Sequence, residues 1–229
     1  VMKKLTLIIA ILLAGQISAK TIIVDQSGAG DATTIQVGIN MSANGDTVLV
    51  RPGVYIEGIS LVGGGERYII GSGADVTTIY YISTAISSNG SASYIVGFTI
   101  ESTSAHTIAN NNGTIILKQC IIKNNKAKGN YLKYGGSPIK AYNCVFRQSS
   151  QGVMIGSSNS ILENNIFYDI SGTALYGQNS GTMQIENNIF RANGVAVDKG
   201  NGYVFSIYNS YYANGQDFTS GATLGLGDI

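Results

Sequence analysis

The sequence is poor in charge and in catalytic side chains. Only 12% of its 229 residues are charged, tryptophan is absent, and the single histidine, His106, has no acid or nucleophile beside it. The 14 Lys and Arg, less the Lys3 and Lys4 of a predicted leader, leave 12 basic against 13 acidic residues, a net charge of −1. Nucleic-acid binding needs a basic surface, so this balance argues against that partner. No later segment is long and apolar enough to cross a membrane.

The first residues have the pattern of a secretory signal peptide. A basic start at Met2–Lys4 precedes an apolar run, Leu5–Ala14, and Ile17–Ala19 is a suitable cleavage site. The apolar run is too short for a membrane span. We therefore expect residues 1–19 to be removed, and residues 20–229 to form one domain in a secreted, periplasmic or cell-surface protein.

What the sequence does contain is a repeat. The segments Leu162–Tyr168 and Ile185–Arg191 are nearly identical, and an amide side chain recurs at steps of 24, 21, 23 and 22 residues, at Gln119, Asn143, Asn164, Asn187 and Asn209. A short unit cannot bury its own apolar face and must stack on its neighbours. Its β-branched residues, interrupted by Asn, Gly and Ser, indicate strands and turns. The repeat predicts an all-β solenoid of about nine coils.

Stacked coils place equivalent residues in line at about 4.8 Å, the spacing of neighbouring strands. Alternation then predicts two inward apolar columns: Leu117, Ala141, Leu162, Ile185 and Ile207, and Ile122, Phe146, Phe167, Phe190 and Tyr212. Between them we predict a buried ladder of Cys120, Cys144, Asn165, Asn188 and Ser210. An Asn in this column both donates and accepts along the stack, which keeps a buried amide satisfied.

The two cysteines are neighbours in this ladder. A disulfide is chemically allowed in an exported protein, and stacking brings the two Cα atoms within bridging range. The parallel Cβ vectors of stacked strands suit that bond poorly, so we favour two buried thiols that fill the column.

Two outward columns carry charge. Lys123, Arg147, Tyr168 and Arg191 each follow the amide position by four residues and form a predicted cationic stripe along the solenoid. Arg binds carboxylates bidentately, so an acidic polysaccharide fits this stripe; the alternative is a set of cations that only keep a strand surface soluble. Glu163 and Glu186 share another outward column and are weak candidates for Ca²⁺, although two acids alone do not complete a coordination shell.

Two further features bear on self-association. An outward apolar column is predicted from Ile121, Val145, Ile166, Ile189 and Tyr211. Either turns of the chain cover this column or it forms a packing surface, since contiguous exposed apolar surface usually marks an interaction site. The sequence also ends, at Gly225–Ile229, without a pattern for a capping helix, so either the solenoid lacks its C-terminal cap or a partner copy closes the last coil.

Residues 25–55 carry the most specific motif, DQSGAGDATTIQVGINMSANGDTVLVRPGVY. Thr33 or Thr34 can cap a short helix with Ile35 and Ile39 on one face. Such a helix would cover the open end of a solenoid. The stretch resembles the opening of pectin methylesterases and of the wider pectate-lyase-like group, in which a helix of pattern GDA/F-TTIQ-x-x-I precedes GDTVLV-x-PGVY.

This resemblance implies a right-handed parallel β-helix with an N-terminal capping helix. The motifs that carry catalysis in pectin methylesterases, GTVDFIFG and LGRPW, are absent, and so are the aspartate pair and Gly-His-Gly of polygalacturonases and the aspartate-rich calcium site of pectate lyases. We therefore expect a secreted non-catalytic β-helix, without a cofactor, that binds glycan or serves as a surface structural module. The alternative is a lyase or hydrolase of uronic-acid polysaccharides.

Overall fold

The computed structural model describes residues 19–63, 65–90, 92–103, 106–124, 130–134, 138–156, 159–178 and 180–229. The predicted signal peptide lies outside the described residues, apart from Ala19. Among the described residues, no helix is long and apolar enough to cross a bilayer.

The chain winds into a right-handed parallel β-helix in which each turn adds one strand to each of three sheets, and every pairing is parallel. Sheet 1 consists of Thr21–Val24, Thr47–Val50, Arg67–Gly71, Ser93–Val96, Ile115–Lys118, Ile139–Tyr142, Ser160–Glu163, Thr182–Glu186 and Tyr203–Ile207. Sheet 2 consists of Gly53–Ile56, Thr77–Tyr81, Thr99–Ser102, Ile121–Asn124, Val145–Ser149, Ile166–Ile170, Ile189–Arg191 and Ser210–Tyr212. Sheet 3 consists of Ile59–Gly63, Ile86–Gly90, His106–Asn112, Asn130–Tyr134, Gln151–Ile155, Thr173–Gly177, Val195–Asp198 and Gln216–Thr219.

The predicted fold is confirmed, with about eight turns rather than the nine expected from length divided by period. The difference arises at the N-terminus. Between the first two strands of sheet 1, the chain from residue 25 to residue 46 forms a loop and a helix instead of strands of sheets 2 and 3.

The helix, Ile35–Met41, covers the first turn as the sequence predicts. Thr34 is its N-cap and accepts the Val37 N–H at 3.3 Å, and Ile35, Gly38 and Ile39 are buried. A Cβ on Gly38 would lie 2.6 Å from Val24 Cγ2, so the absent side chain lets the helix approach the sheet. The packing of this amphipathic face on sheet 1 closes the N-terminal end of the core.

The interior is built from stacked columns. Phe146, Phe167 and Phe190 stack in parallel with ring centroids 4.8 and 4.7 Å apart, and Tyr211 continues the column 5.1 Å beyond Phe190. The prediction that Tyr212 points inward, and Tyr211 outward, is therefore wrong. The registers Phe190 to Tyr211 and Glu186 to Ile207 also show that Ile207 is not the inward partner of Ile185; Ser206 is.

The same shift of one residue moves the last member of the ladder. Ser210 pairs with Ile189 and is not a ladder residue; Asn209 is fully buried in that position. There are two physical reasons. Asn209 Oδ1 accepts hydrogen bonds from the backbone N–H and the side-chain amide of Asn188, at 2.8 and 2.9 Å, which places Asn209 in the ladder. Two residues later, the ring of Tyr211 stacks on Phe190, which fixes the same register. A serine hydroxyl has a single donor and could not also replace the Asn209 side-chain N–H groups, which donate to the carbonyl oxygens of Ile185 and Ile207 at 2.9 and 3.1 Å.

The rest of the predicted ladder is buried as expected. Asn165 donates its amide to Asn188 Oδ1 at 3.0 Å, and Asp228 ends the column by accepting the Asn209 N–H at 2.7 Å. A second ladder, which we did not predict, lies at the corner between sheets 2 and 3, where Asn193 donates to Asn214 Oδ1 at 3.0 Å. The two ladders fix the chain at two of the three corners in this part of the solenoid.

The residues before the first ladder take a left-handed backbone conformation, with φ between 53° and 57°: Gln119, Asn143, Asn164, Asn187 and Tyr208. Asn tolerates this region better than most residues, which explains why it recurs there. The corner sets the direction in which each strand of sheet 2 leaves, and so aligns the residues that follow.

Candidate functional site

The corners align the cationic stripe along the outer face of sheet 2. Lys123 is in register with Arg147, Arg147 with Tyr168, and Tyr168 with Arg191. The alternation of each strand that follows a corner points Phe146, Phe167 and Phe190 into the core and the next residue outward. The four residues that the sequence groups by spacing thus form one continuous column.

Lys123 is the one member whose charge is already paired. Its Nζ lies 2.6 Å from Glu101 Oε2, one turn below in the same column. Both side chains are partly covered, with 24% and 13% of their surfaces exposed. The repeat did not predict this pair, because Glu101 lies in a turn that resembles the others less closely. Since its charge is already paired, Lys123 offers little charge to a ligand.

Arg191 is held between two aromatic rings. Its Cζ lies 5.8 Å from the centroid of Tyr168 on one side and 5.7 Å from that of Tyr212 on the other. Tyr212 is in register with Arg191 and 65% exposed, so the stripe is one residue longer than predicted. Cation–π contacts of this kind are worth about 0.5–1 kcal/mol at exposed sites. The two contacts restrict the position of the guanidinium on the outer face of sheet 2.

The Arg147 side chain also has a hydrogen-bond donor that is not satisfied. Its Nε is buried and has no hydrogen-bond partner among the described residues. Within the same described part of the chain, neither Arg147 nor Arg191 makes an ion pair. Buried donors are nearly always satisfied in proteins, so an unsatisfied one needs an explanation such as a ligand or an ordered water.

An apolar column runs beside the stripe, two residues earlier on each strand. Ile121, Val145, Ile166 and Ile189 are in register there, and Ile166 and Ile189 are 39% and 44% exposed. The predicted fifth member, Tyr211, is wrong, because its ring lies in the core and Ser210 takes the outward position. Sheet 2 therefore presents an apolar column next to a column of alternating Arg and Tyr.

The predicted acidic pair lies on a different face. Glu163 and Glu186 are in register on sheet 1, between Tyr142 and Ile207. No group of three or more His, Cys, Asp or Glu side chains suited to a metal ion occurs among the described residues. The two carboxylates are adjacent, as the sequence indicates, but no third carboxylate or imidazole of the described chain joins them.

Sheet 1 also carries an aromatic and basic surface that the repeat did not reveal. The rings of Tyr68 and Tyr94 stack 4.6 Å apart, and Lys118 Nζ lies 6.0 Å from the Tyr94 centroid and 5.8 Å from that of Tyr142. A hydrogen bond with Glu66 raises the pKa of Tyr94, with burial as the next cause. Tyr68 is in register with Tyr94, and Lys118 with Tyr142, so their equivalent positions in the repeat are a signal for this surface. Only Lys118 and Tyr94 meet diagonally, two residues apart on neighbouring strands.

Sheet 3 carries a depression of about 260 Å³ that contains a carboxylate, with Met154, Thr173, Tyr176 and Asp198 in its lining. Tyr176 and Asp198 are in register on adjacent turns. A carboxylate and a phenol are possible acid and base groups.

The cysteines are buried free thiols in neighbouring turns of the ladder. The hydrogen bond with Cys120, together with burial, raises the pKa of the Cys144 thiol. Cys120 Sγ also approaches the Lys118 carbonyl oxygen at 3.3 Å. The pair fills the ladder as the two buried thiols that the sequence favours.

Comparison with protein-family models identifies the family of this chain. The family model described as "Right handed beta helix region" matches residues 54–217, which is most of the chain. The chain belongs to the right-handed beta-helix family. Membership of this right-handed beta-helix family agrees with the parallel three-sheet architecture, and with the resemblance drawn from residues 25–55. None of the curated proteins compared with the chain matches it significantly.

Solved structures of low identity share the fold. A pectin methylesterase in complex with a hexasaccharide superposes with a TM-score of 0.59 at 11% identity, over 93% of both chains. Pectin methylesterase PemA from Erwinia chrysanthemi gives 0.58 at 11% identity, over 93% of this chain and 92% of that one. A PL6 family alginate lyase gives 0.56 at 14% identity, over 93% of this chain but 40% of that one. At such identities the likeness establishes the fold alone.

Proposed function

We propose that the protein is a secreted, non-catalytic β-helix that binds an acidic polysaccharide along the cationic stripe on sheet 2. The observation that carries the proposal is the position of Arg191 between Tyr168 and Tyr212. A guanidinium restricted in this way can form a fork to a carboxylate with a smaller loss of side-chain freedom. Secretion, to the periplasm or the cell surface, follows from the predicted signal peptide and is part of the proposal.

The shape and composition of the surface support a polymer rather than a compact ligand. The stripe continues in register from turn to turn along the solenoid, and has the apolar column of Ile166 and Ile189 beside it. Binding sites commonly combine apolar surface with a few well-placed polar groups. Each exposed charge pair is weak, so affinity must come from several sugars bound together.

The structural neighbours favour the same ligand class. One is a pectin methylesterase in complex with a hexasaccharide, and another is an alginate lyase. Because the likeness rests on fold alone, it supports polysaccharide as the ligand to test first and says nothing about chemistry.

A polysaccharide lyase or hydrolase is the second candidate. The observation in its favour is the sheet 3 depression, where the Asp198 carboxylate and the Tyr176 phenol lie on adjacent turns. Self-association through the apolar column or the last turn also stays a prediction, which sedimentation measurements at several concentrations will test.

The experiment is a calorimetric titration with polygalacturonate and alginate oligomers of increasing length. We expect affinity to rise with length and to fall as salt increases. The double variant Arg147→Ala/Arg191→Ala should bind roughly tenfold or more weakly, because each removes a charge-assisted contact. Equal binding by this variant and the wild type would rule out the stripe.

The matched control is the double variant Lys118→Ala/Lys140→Ala, which removes two cations from sheet 1 and leaves sheet 2 unchanged. Its affinity should equal that of the wild type. A loss of affinity confined to this variant would show that the binding site lies on sheet 1. Absorbance of unsaturated uronate and release of reducing ends are followed in the same samples. Product formation that Asp198→Asn abolishes would establish the enzyme instead.

A further inference from the structure

The unpaired cations of the stripe lie on alternate turns. Arg147 and Arg191 are separated by the turn of Tyr168, which places them about 9.6 Å apart at the usual strand spacing. Lys123, on the turn next to Arg147, is paired with Glu101, and the turn beyond Arg191 carries Tyr212. The order along the axis is therefore Arg, Tyr, Arg, Tyr.

The turn between the two arginines carries a negative charge. Asp169 follows Tyr168 near the end of the sheet 2 strand Ile166–Ile170, with a φ of 56° and an exposed side chain. The residues at the same position in the neighbouring turns are uncharged: Gln148, Ala192 and Ala213. Charge thus alternates along the edge of the stripe, positive at the turns of Arg147 and Arg191 and negative at the turn between them.

From this alternation we infer that the ligand is a polysaccharide with a carboxylate on every second sugar, and not one with a carboxylate on every sugar. The inference rests on the proposed function and adds the charge spacing of the ligand. A pyranose ring is similar in length to the rise of one turn, so successive sugars of an extended chain face successive turns. The sugar opposite Tyr168 would then meet an aromatic ring and a carboxylate, which suits a neutral sugar.

Specificity of this kind depends on repulsion as well as attraction. A homopolymer of uronate would place a charged sugar, in place of a neutral one, opposite Asp169 between the two sugars that bind the arginines, and like charges within a Debye length of each other disfavour the wrong partner. General attraction to a cationic surface would give the opposite ranking, because the homopolymer carries twice the charge at equal length. The two explanations therefore predict opposite orders of affinity.

The test compares two octasaccharides at physiological salt. One is hyaluronan, in which uronate alternates with a neutral sugar, and the other is oligogalacturonate, in which every sugar is a uronate. We expect the full-length protein to bind the alternating chain more tightly, by roughly two- to fivefold, which is the effect of one exposed charge pair.

Two variants show whether the spacing is the cause. Asp169→Asn should strengthen homopolymer binding by a similar factor and leave the alternating chain unaffected. Tyr168→Lys should place cations on three successive turns and reverse the preference. Asp75→Asn, which removes an exposed acid far along the chain from the stripe, is the matched control and should change neither affinity.

The outcomes separate this inference from the proposed function. Tighter or equal binding of the homopolymer by the wild type would overturn the spacing and leave acidic-polysaccharide binding in place. A wild-type preference that neither Asp169→Asn nor Tyr168→Lys alters would also overturn it. Binding of neither octasaccharide, nor of longer polymers of either type, would remove the proposed function itself.

Discussion

The side-chain amide of Asn188 donates to Oδ1 of Asn209 at 2.9 Å, between two buried side chains on successive turns. The same oxygen accepts the Asn188 backbone N–H, and Asn188 in turn accepts from Asn165. The ladder therefore satisfies the corner of each turn with a side chain of the next.

Replacement of Asn188 by Leu should lower the free energy of unfolding by about 1–3 kcal/mol, because buried amide groups on both sides lose their partners. The measurement is urea denaturation followed by circular dichroism. The same change at Asn111, which is exposed on sheet 3, is the control and should have little effect. An unaltered midpoint for Asn188→Leu would show that the ladder contributes nothing to stability.

Cys120 and Cys144 should not react with Ellman's reagent in the folded protein and should both react in urea. Both are 1% exposed, and the raised pKa of Cys144 disfavours the thiolate, which is the reactive form. Rapid reaction of either thiol under native conditions would contradict this burial. If neither thiol reacts in urea until a reductant is added, the two cysteines form a disulfide.

Asp46 should make stability fall in acid. Hydrogen bonds from the N–H groups of Ala43 and Lys20 lower the pKa of Asp46, so folding favours its charged form. The stabilisation is present above the ordinary aspartate pKa of about 3.9 and is lost as pH falls through the lowered folded value. Melting temperatures measured from pH 6 to pH 2 should fall less steeply for Asp46→Asn than for the wild type. Parallel curves for the two proteins would refute the linkage.

Glu163 and Glu186 should act as a like-charged pair and not as a calcium site. Like charges on directly opposite strand positions are destabilising, so Glu186→Gln should raise the free energy of unfolding by roughly 0.2–1 kcal/mol. Millimolar Ca²⁺ should leave the melting temperature of the wild type unchanged. A calcium-dependent increase that Glu186→Gln removes would establish a site that the described carboxylates alone do not complete.

The sequence by itself determined the architecture. The spacing of Asn143, Asn164 and Asn187, the alternation that buries Phe146 and exposes Arg147, and the helix after Thr34 are all local patterns, and each constrains one turn in the same way. A repeated pattern of this kind leaves stacking as the only means of burial, so the fold and the existence of the stripe follow.

Only the tertiary structure decided which residues of neighbouring turns meet. A repeat whose steps vary between 21 and 24 residues leaves the register uncertain by one, and a shift of one residue exchanges the inner and outer faces of a strand. For this reason the predicted inward positions of Ser210 and Tyr212 are wrong. Asn209 occupies the ladder position because of its amide hydrogen bonds, and Tyr211 the core position because its ring stacks on Phe190. The pairing of Lys123 with Glu101, and the contact of Tyr212 with Arg191, depend on that register and on side-chain reach, which no single turn encodes.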